Sequence, residues 1–578
     1  MRKLIAEYRR LLADYESVLA YSVLGIVAGL ASGLVVIAFE MLISQLALIW
    51  GVGNNGDGFE ALPRHLQFAL PVGGALLLGI CYHFLKPEDR ETGIVHVLSK
   101  MHSNYGALPA RNAVVQFFAG SFALASGQSG GREGPGVHLG GAINSLLGQR
   151  LGLPSNSLRV LIACGAAGGI AAAFNTPLAG VIFAMEVIIA EYTVVGFIPV
   201  ILAAVSASAV SRTLLTGGVF FAIPELELNS LLEIPYIIFL GFCCGFAIVA
   251  FSKISRATAR LAHWNVAIRF TLAGLVTGAL AMAAPEILGI GYDTLYMALQ
   301  SELTLLTLLV VAGAKLVATA VSAGAGMPIG IIGPNLLIGA CIGGALGLLG
   351  MQFMPEHASD PVLYVVIGMG ACMAAALNAP LAGLLAVVEL THTTSIGMPA
   401  MLAIVTATLT GTGLFRQRSV HQTVLKQLRR VVPDDPLNQL LHRTHVTAIM
   451  DNRAVRVPVK LTDEDLEPLL EFNPTWCLVT REGEDLYLVQ GPELLAWLHE
   501  HPREDDSEEQ VDITDAGIRR WTTSSVPVQA SLRQALDSIN ANTAEIACVY
   551  ERSRTSGKRI LHGVVTRETI EKFTLGRL

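Results

Sequence analysis

Glu133 stands inside the pentapeptide Gly131-Arg132-Glu133-Gly134-Pro135, between two apolar stretches. An ionisable side chain within a membrane-type segment is a candidate functional group by default. A helix that starts at a Gly/Pro interruption leaves its first backbone N–H groups without intrahelical partners and carries partial positive charge at that end. Such an end suits an anion. The carboxylate of Glu133 can take the anion's own place there, so that protonating or displacing the side chain opens a path. The other reading is a structural Arg132–Glu133 ion pair, although adjacent residues point apart on a helix.

The pentapeptide has a counterpart, Gly330-Ile331-Ile332-Gly333-Pro334, 199 residues further on. A second pair is closer still: Phe174-Asn-Thr-Pro-Leu-Ala-Gly180 runs on to Glu186, and Leu377-Asn-Ala-Pro-Leu-Ala-Gly383 runs on to Glu389, each position offset by 203 residues. Duplicated halves with apolar segments interrupted at matching places point to discontinuous helices that meet near the bilayer midplane. Gly and Pro would also serve close packing of spans, but packing alone does not require matched Gly-x-x-Gly-Pro signatures.

The elements that must position these motifs belong to a membrane domain. Of 578 residues 52% are hydrophobic and 15% charged, with a mean hydropathy of +0.55, against about 25% charged in soluble domains. Apolar runs near 19–50, 68–85, 195–217, 233–252, 267–288, 303–324, 331–352 and 396–415 meet or approach the length that crosses a bilayer. Shorter ones near 113–126, 157–173, 176–190, 362–377 and 380–391 read as half-helices. No Lys or Arg occurs from Leu316 to Phe415, whereas Arg416, Arg418 and Lys426 follow at once. The start, MRKLIAEYRRLLADYES, is too charged for a signal peptide and reads as an amphipathic helix. Basic flanks at the first and last spans place both termini in the cytoplasm. A net charge of −7 gives no footprint for nucleic acid. The eight cysteines form no CxxC pair and carry no chemistry; no metal or other cofactor is expected.

With these motifs in view, the sequence resembles the CLC family of chloride channels and chloride/proton exchangers. The family's three anion-binding signatures correspond to Thr92-Gly93-Ile94-Val95, Gly131–Pro135 and Gly330–Pro334, and the Asn-x-Pro-Leu-Ala-Gly repeats also match. The resemblance implies an all-α polytopic domain built from an inverted repeat with broken helices, in a homodimer with one pathway per subunit. It makes Glu133 the gating glutamate, with the amides of Glu133 and Gly134 at an outer chloride site and those of Ile331 and Ile332 at a central one. Arg132, Thr92 and Gly93 fall in the same signatures, Thr92 keeping the hydroxyl that family members usually supply as serine. Three departures stand out. Ile332 replaces an aromatic, His421 stands where a tyrosine usually closes the inner mouth, and Val187 replaces the glutamate that passes protons inward in exchangers. An aliphatic side chain relays no proton, so the resemblance favours a passive channel over an exchanger. Glu186, by its match to Glu389, reads as structural.

From about Thr444 charges become frequent, and strand-like runs at 476–480, 486–489, 546–550 and 561–566 alternate with amphipathic helices. The acidic stretch His501–Glu509 divides this α/β unit into two comparable halves that resemble tandem CBS domains. The expected organisation is a membrane domain over 1–440, a first CBS-like domain over 441–500, a linker over 501–511 and a second domain over 512–578. Thr569 occupies a position where an aspartate commonly holds a nucleotide ribose. That counts against adenine-nucleotide binding; a structural or dimer-bracing tail is the other reading. One enzyme reading remains: Gly127-Gln-Ser129-Gly130 matches the pattern of intramembrane serine proteases. That chemistry needs a histidine within hydrogen-bond reach of the serine, and the nearest in sequence is His138.

Overall fold

The computed structural model describes residues 18–576 except 54–57, 104–105, 154, 191–193, 215–225, 354, 357, 428–436, 438–439, 442–443, 482–483, 502–510 and 553–558. The amino-terminal segment and the acidic linker, apart from His501 and Val511, therefore lie outside the described residues. The chain separates into two compact units, one comprising Met1–Leu153 and Ser157–Val432, the other essentially Pro433–Leu578.

Among the described residues the membrane unit holds two sets of eight helices in the same order. The first set holds α1 (Val18–Ile49), α2 (Arg64–His83), α3 (Gly93–Ser103), α4 (Ala110–Ala125), α5 (Glu133–Leu151), α6 (Ser155–Phe174), α7 (Pro177–Phe183, continued by a π-helical turn over Ala184–Ile189) and α8 (Val194–Leu214). The second holds α9 (Ile234–Ala259), α10 (Val266–Ala281), α11 (Tyr292–Leu299), α12 (Leu305–Ala325), α13 (Ile332–Phe353), α14 (Pro361–Leu377), α15 (Pro380–Thr391) and α16 (Gly397–Leu409). A short α17 (Val420–Gln427) follows. Among the described residues eight helices are long and apolar enough to cross a membrane. The run 267–288, expected to span, is α-helical only over Val266–Ala281, while Ser157–Phe174, expected as a half-helix, is long enough to cross.

Packing repeats as faithfully as sequence. A Cβ on Gly140 would lie 2.2 Å from the carbonyl oxygen of Gly165, and one on Gly339 would lie 2.1 Å from that of Gly368. The crossings α5–α6 and α13–α14 thus bring backbones together where only glycine fits, as close-packed membrane helices require. The Asn-x-Pro repeats have an equally local cause. Asn175 and Asn378 end α6 and α14 at φ of 57° and 56°, a left-handed conformation that asparagine tolerates. The proline two residues on starts the next helix, where its missing N–H costs nothing.

Each short helix is then capped from the opposite repeat. Glu389 accepts the amides of Leu178 (3.1 Å) and Ala179 (2.9 Å) at the start of α7, and Glu186 accepts those of Leu381 (3.2 Å) and Ala382 (2.8 Å) at the start of α15. Equivalent residues serving each other relate the two halves by a two-fold axis, the symmetry that an inverted repeat requires. Each carboxylate satisfies two orphan donors at the positive end of a helix. Glu186→Ala and Glu389→Ala should therefore each destabilise the membrane unit by about 2–3 kcal/mol. The check is the melting temperature in detergent: both variants should fall by similar amounts, and one that melts like the parent would show that its cap is dispensable.

The carboxy-terminal unit repeats a second plan. In its first half β1 (Ala454–Pro458) pairs parallel with β3 (Trp476–Arg481), and β3 pairs antiparallel with β4 (Glu484–Gln490); β2 (Lys460–Leu461) pairs with β5 (Val511–Asp512). In the second half β6 (Thr523–Pro527), β7 (Ile546–Arg552) and β8 (Arg559–Thr566) repeat the same pattern. Helices α18 (Asp463–Phe472), α19 (Gly491–Glu500), α20 (Leu532–Ala541) and α21 (Arg567–Thr574) cover the sheets. Trp476, Leu478 and Leu488 pack with Ile546, Cys548 and Val564 into one core shared by both halves. This duplicated β-α-β-β-α plan is a tandem CBS unit. Thr569 donates its amide to Thr566 Oγ1 at 3.0 Å, so the position that commonly carries the ribose-binding aspartate forms part of a helix cap.

Candidate functional site

The two pentapeptides meet head-on. Gly131 and Gly330 form an isolated antiparallel bridge, each amide donating to the other's carbonyl at 2.8 Å. A Cβ on Gly330 would sit 2.7 Å from the Gly134 nitrogen and 2.8 Å from the Gly131 oxygen. From this crossing α5 and α13 run apart, beginning at Glu133 and Ile332. Both positive helix ends therefore face one small region.

Glu133, fully buried, fills that region. Its Oε2 accepts the amide of Gly333 at 3.1 Å, and its Oε1 accepts the hydroxyl of Tyr292. A carboxylate of the first repeat thus takes a first-turn amide of the second, in the manner of a bound anion. Arg132 is engaged elsewhere. Its guanidinium lies 3.4 Å from Glu40 Oε1, donates to the Ala173 carbonyl at 3.0 Å and covers the Tyr292 ring at 5.2 Å.

Tyr292 is held in place by a buried lysine. Lys315 on α12 donates to the carbonyls of Ile287 (3.0 Å), Gly289 (3.0 Å) and Ile290 (3.2 Å), which fixes the loop that leads into α11. That loop also accepts the Gly130 amide at 3.3 Å through Gly289. Sequence reasoning missed Glu40, Tyr292 and Lys315. The signal for Glu40 and Lys315 was present, since both are ionisable residues inside apolar spans; Tyr292 had none.

Below the crossing lies a cavity of about 190 Å³ lined by Thr92, His96, Gly134, Ile331, Val420 and His421, among others. All three signatures and the inner-mouth position therefore share one space. Gly93 also lines it, but its amide donates to Gln116 Oε1 at 2.8 Å, and Gln116 Nε2 donates to the Pro328 carbonyl at 3.0 Å. Gln116 thereby ties the first signature to the approach of the third. His421 is buried, and burial lowers its pKa to about 4. It is neutral at physiological pH and supplies a hydrogen-bonding ring, in place of the titration near neutrality that its type suggests. Val187 sits in the π-helical turn beside Glu186, partly buried against the apolar core. Ser129 Oγ bonds to Thr319 Oγ1 at 2.9 Å and His138 Nε2 to His96 Nδ1 at 2.8 Å. The serine and histidine of the protease reading are thus each paired with other side chains.

A fully buried carboxylate between two repeated, broken-helix halves, beside a cavity lined by all three signatures, defines a polytopic anion-transport protein. The chain belongs to the voltage-gated chloride channel, or CLC, family, whose model matches residues 73–412. It is 33% identical over 393 residues to a putative chloride channel protein ClcB-like of Ralstonia nicotianae, covering 66% of this chain and 91% of that protein. It is 30% identical over 422 residues to the H(+)/Cl(−) exchange transporter ClcA of Vibrio cholerae serotype O1, covering 70% of this chain and 90% of that one. In fold it is similar to a eukaryotic CLC transporter (TM-score 0.57, 21% identity, 98% of each chain covered) and to a slow cyanobacterial Cl−/H+ antiporter (TM-score 0.61, 23% identity, 71% of this chain and 97% of that one).

Proposed function

We propose that this protein is a passive, chloride-selective channel gated by Glu133, with no enzymatic activity. The observation that carries the reading is the carboxylate of Glu133 on the Gly333 amide, at a helix end where a chloride would otherwise be held. Displacing or protonating that carboxylate frees the amides of Glu133, Gly134, Ile331 and Ile332 to replace the ion's hydration shell. Thr92 adds a hydroxyl in the cavity below. Val187 supports a channel, because its side chain offers no proton carrier beside the cytoplasmic end of the path. The protein works as a homodimer in a bacterial inner membrane with both termini in the cytoplasm, and its CBS unit braces the dimer without binding adenine nucleotide. Exchange with protons is the second reading, favoured by the name of the 30%-identical Vibrio relatives.

Reversal potentials in proteoliposomes separate the two. Under a chloride gradient the channel gives a potential that follows chloride alone, unchanged when a pH gradient is added. A potential that moves with the proton gradient overturns the channel and the weight placed on Val187.

A further inference from the structure

The wall of the anion cavity contains a pair of histidines that the gate does not use. His96 on α3 lines the cavity, and its Nδ1 lies 2.8 Å from Nε2 of His138 on α5. Both rings are buried, at 1% and 0% exposure. On its other side His96 Nε2 lies 3.8 Å from a carboxylate oxygen of Glu91, a residue that is 24% exposed and also lines the cavity. His138 Nδ1 finds no hydrogen-bond partner among the described residues. A chain of three titratable groups therefore leads from a solvent-reachable carboxylate to an orphaned buried nitrogen.

We infer that Glu91, His96 and His138 form a proton-binding site that takes up a proton together with the anion. The inference rests on the cavity being the anion's path. When neutral, the two rings share one N–H between them. When one more proton arrives, an imidazolium donates to an imidazole, a charge-assisted bond stronger than the neutral one, and the Glu91 carboxylate supplies the counter-charge. The added positive charge sits in the wall of the space that also holds the Thr92 side chain and the Ile331 backbone. An anion entering that space raises the pair's proton affinity, and the proton raises the anion's affinity by the same factor, because coupling between two sites is reciprocal.

Other groups on the surrounding elements do not mimic this. Helix α3 packs against α5 and α17, and α5 also against α1, α4, α6 and α13. Lys100 on α3, Arg132 and Arg150 at the ends of α5, and Arg90, Arg111, Arg159 and Lys426 on or beside the packed elements are present in both proteins compared below. His421 is already neutral between pH 5.5 and 7.5. Glu40 and Glu133 are the carboxylates on these helices, and the test replaces the second and leaves the first the same in both variants.

The test is calorimetric titration of chloride into the full-length protein carrying Glu133→Gln, at pH 7.5 and 5.5, in two buffers of different ionisation enthalpy. The expected result is about tenfold tighter chloride binding at pH 5.5, within the usual range of site-to-site coupling, with net proton uptake per chloride bound. Adding His138→Gln should remove both the pH dependence and the uptake. Chloride binding with no proton uptake overturns the site while leaving the anion reading intact, and needs no histidine variant to fold. Equal pH dependence with and without His138→Gln also overturns it, by assigning the proton elsewhere. Absence of chloride binding at either pH sinks the anion reading and this site with it.

Discussion

Replacing Glu133 by Gln raises chloride efflux from proteoliposomes about tenfold at pH 7.5 and flattens its dependence on pH. Glutamine keeps the shape and one acceptor for Tyr292 and Gly333 but loses the charge, and bonds to a neutral acceptor are roughly half as strong as those to a carboxylate. Weakening a gate held by charge-assisted bonds of about 1.5–3 kcal/mol each releases on the order of 1.4 kcal/mol, which is tenfold in occupancy. The acid dependence disappears because the group whose protonation opens the path is gone. Tyr292→Phe removes one of the two donors that hold the closed pose and should raise efflux in the same direction by a smaller factor, with the pH dependence kept. Parental rates and an unchanged pH profile in Glu133→Gln would remove this residue from the gate.

The second large effect is at the crossing. Gly330→Ala is expected to lower chloride flux about a hundredfold, because its methyl group meets the backbone nitrogen of Gly134 at 2.7 Å and the backbone oxygen of Gly131 at 2.8 Å. Neither atom is the end of a flexible side chain, so the two helix ends must separate. Displacement of a preorganised site by about 1 Å costs on the order of a hundredfold. Gly313→Ala on α12 is the control, since a Cβ there meets nothing within 4 Å, and its flux should match the parent's. Equal flux in both variants would mean that the antiparallel bridge does not position the amides.

The crossing of the two pentapeptides was legible in the sequence because its parts are repeated. Gly131–Pro135 and Gly330–Pro334 signal broken helices by composition, and the Asn-x-Pro repeats signal paired helix ends by turn chemistry. Helix α5 was not visible as an apolar run, since its glycines and polar residues dilute hydropathy while serving the crossing with α6. Strands β1 and β6 were likewise missed, each being five residues with polar or charged members whose pairing comes from a distant partner. The partners of Glu133 lie beyond local reasoning for the same reason. Tyr292 is 159 residues away, and only the folded loop under Lys315 brings it to the carboxylate. Gly93 is likewise tied by a distant partner, since its amide donates to Gln116 on the next helix.

Two hydrogen bonds and a pair of side-chain-free positions lock Gly131 to Gly330, and each half caps a helix of the other. Rocking of one repeat against its twin would tear all of these at once. A passive channel gated by Glu133, as proposed above, needs no such rocking: the frame stays rigid and the swing of a single side chain, a few ångströms long, sets the throughput.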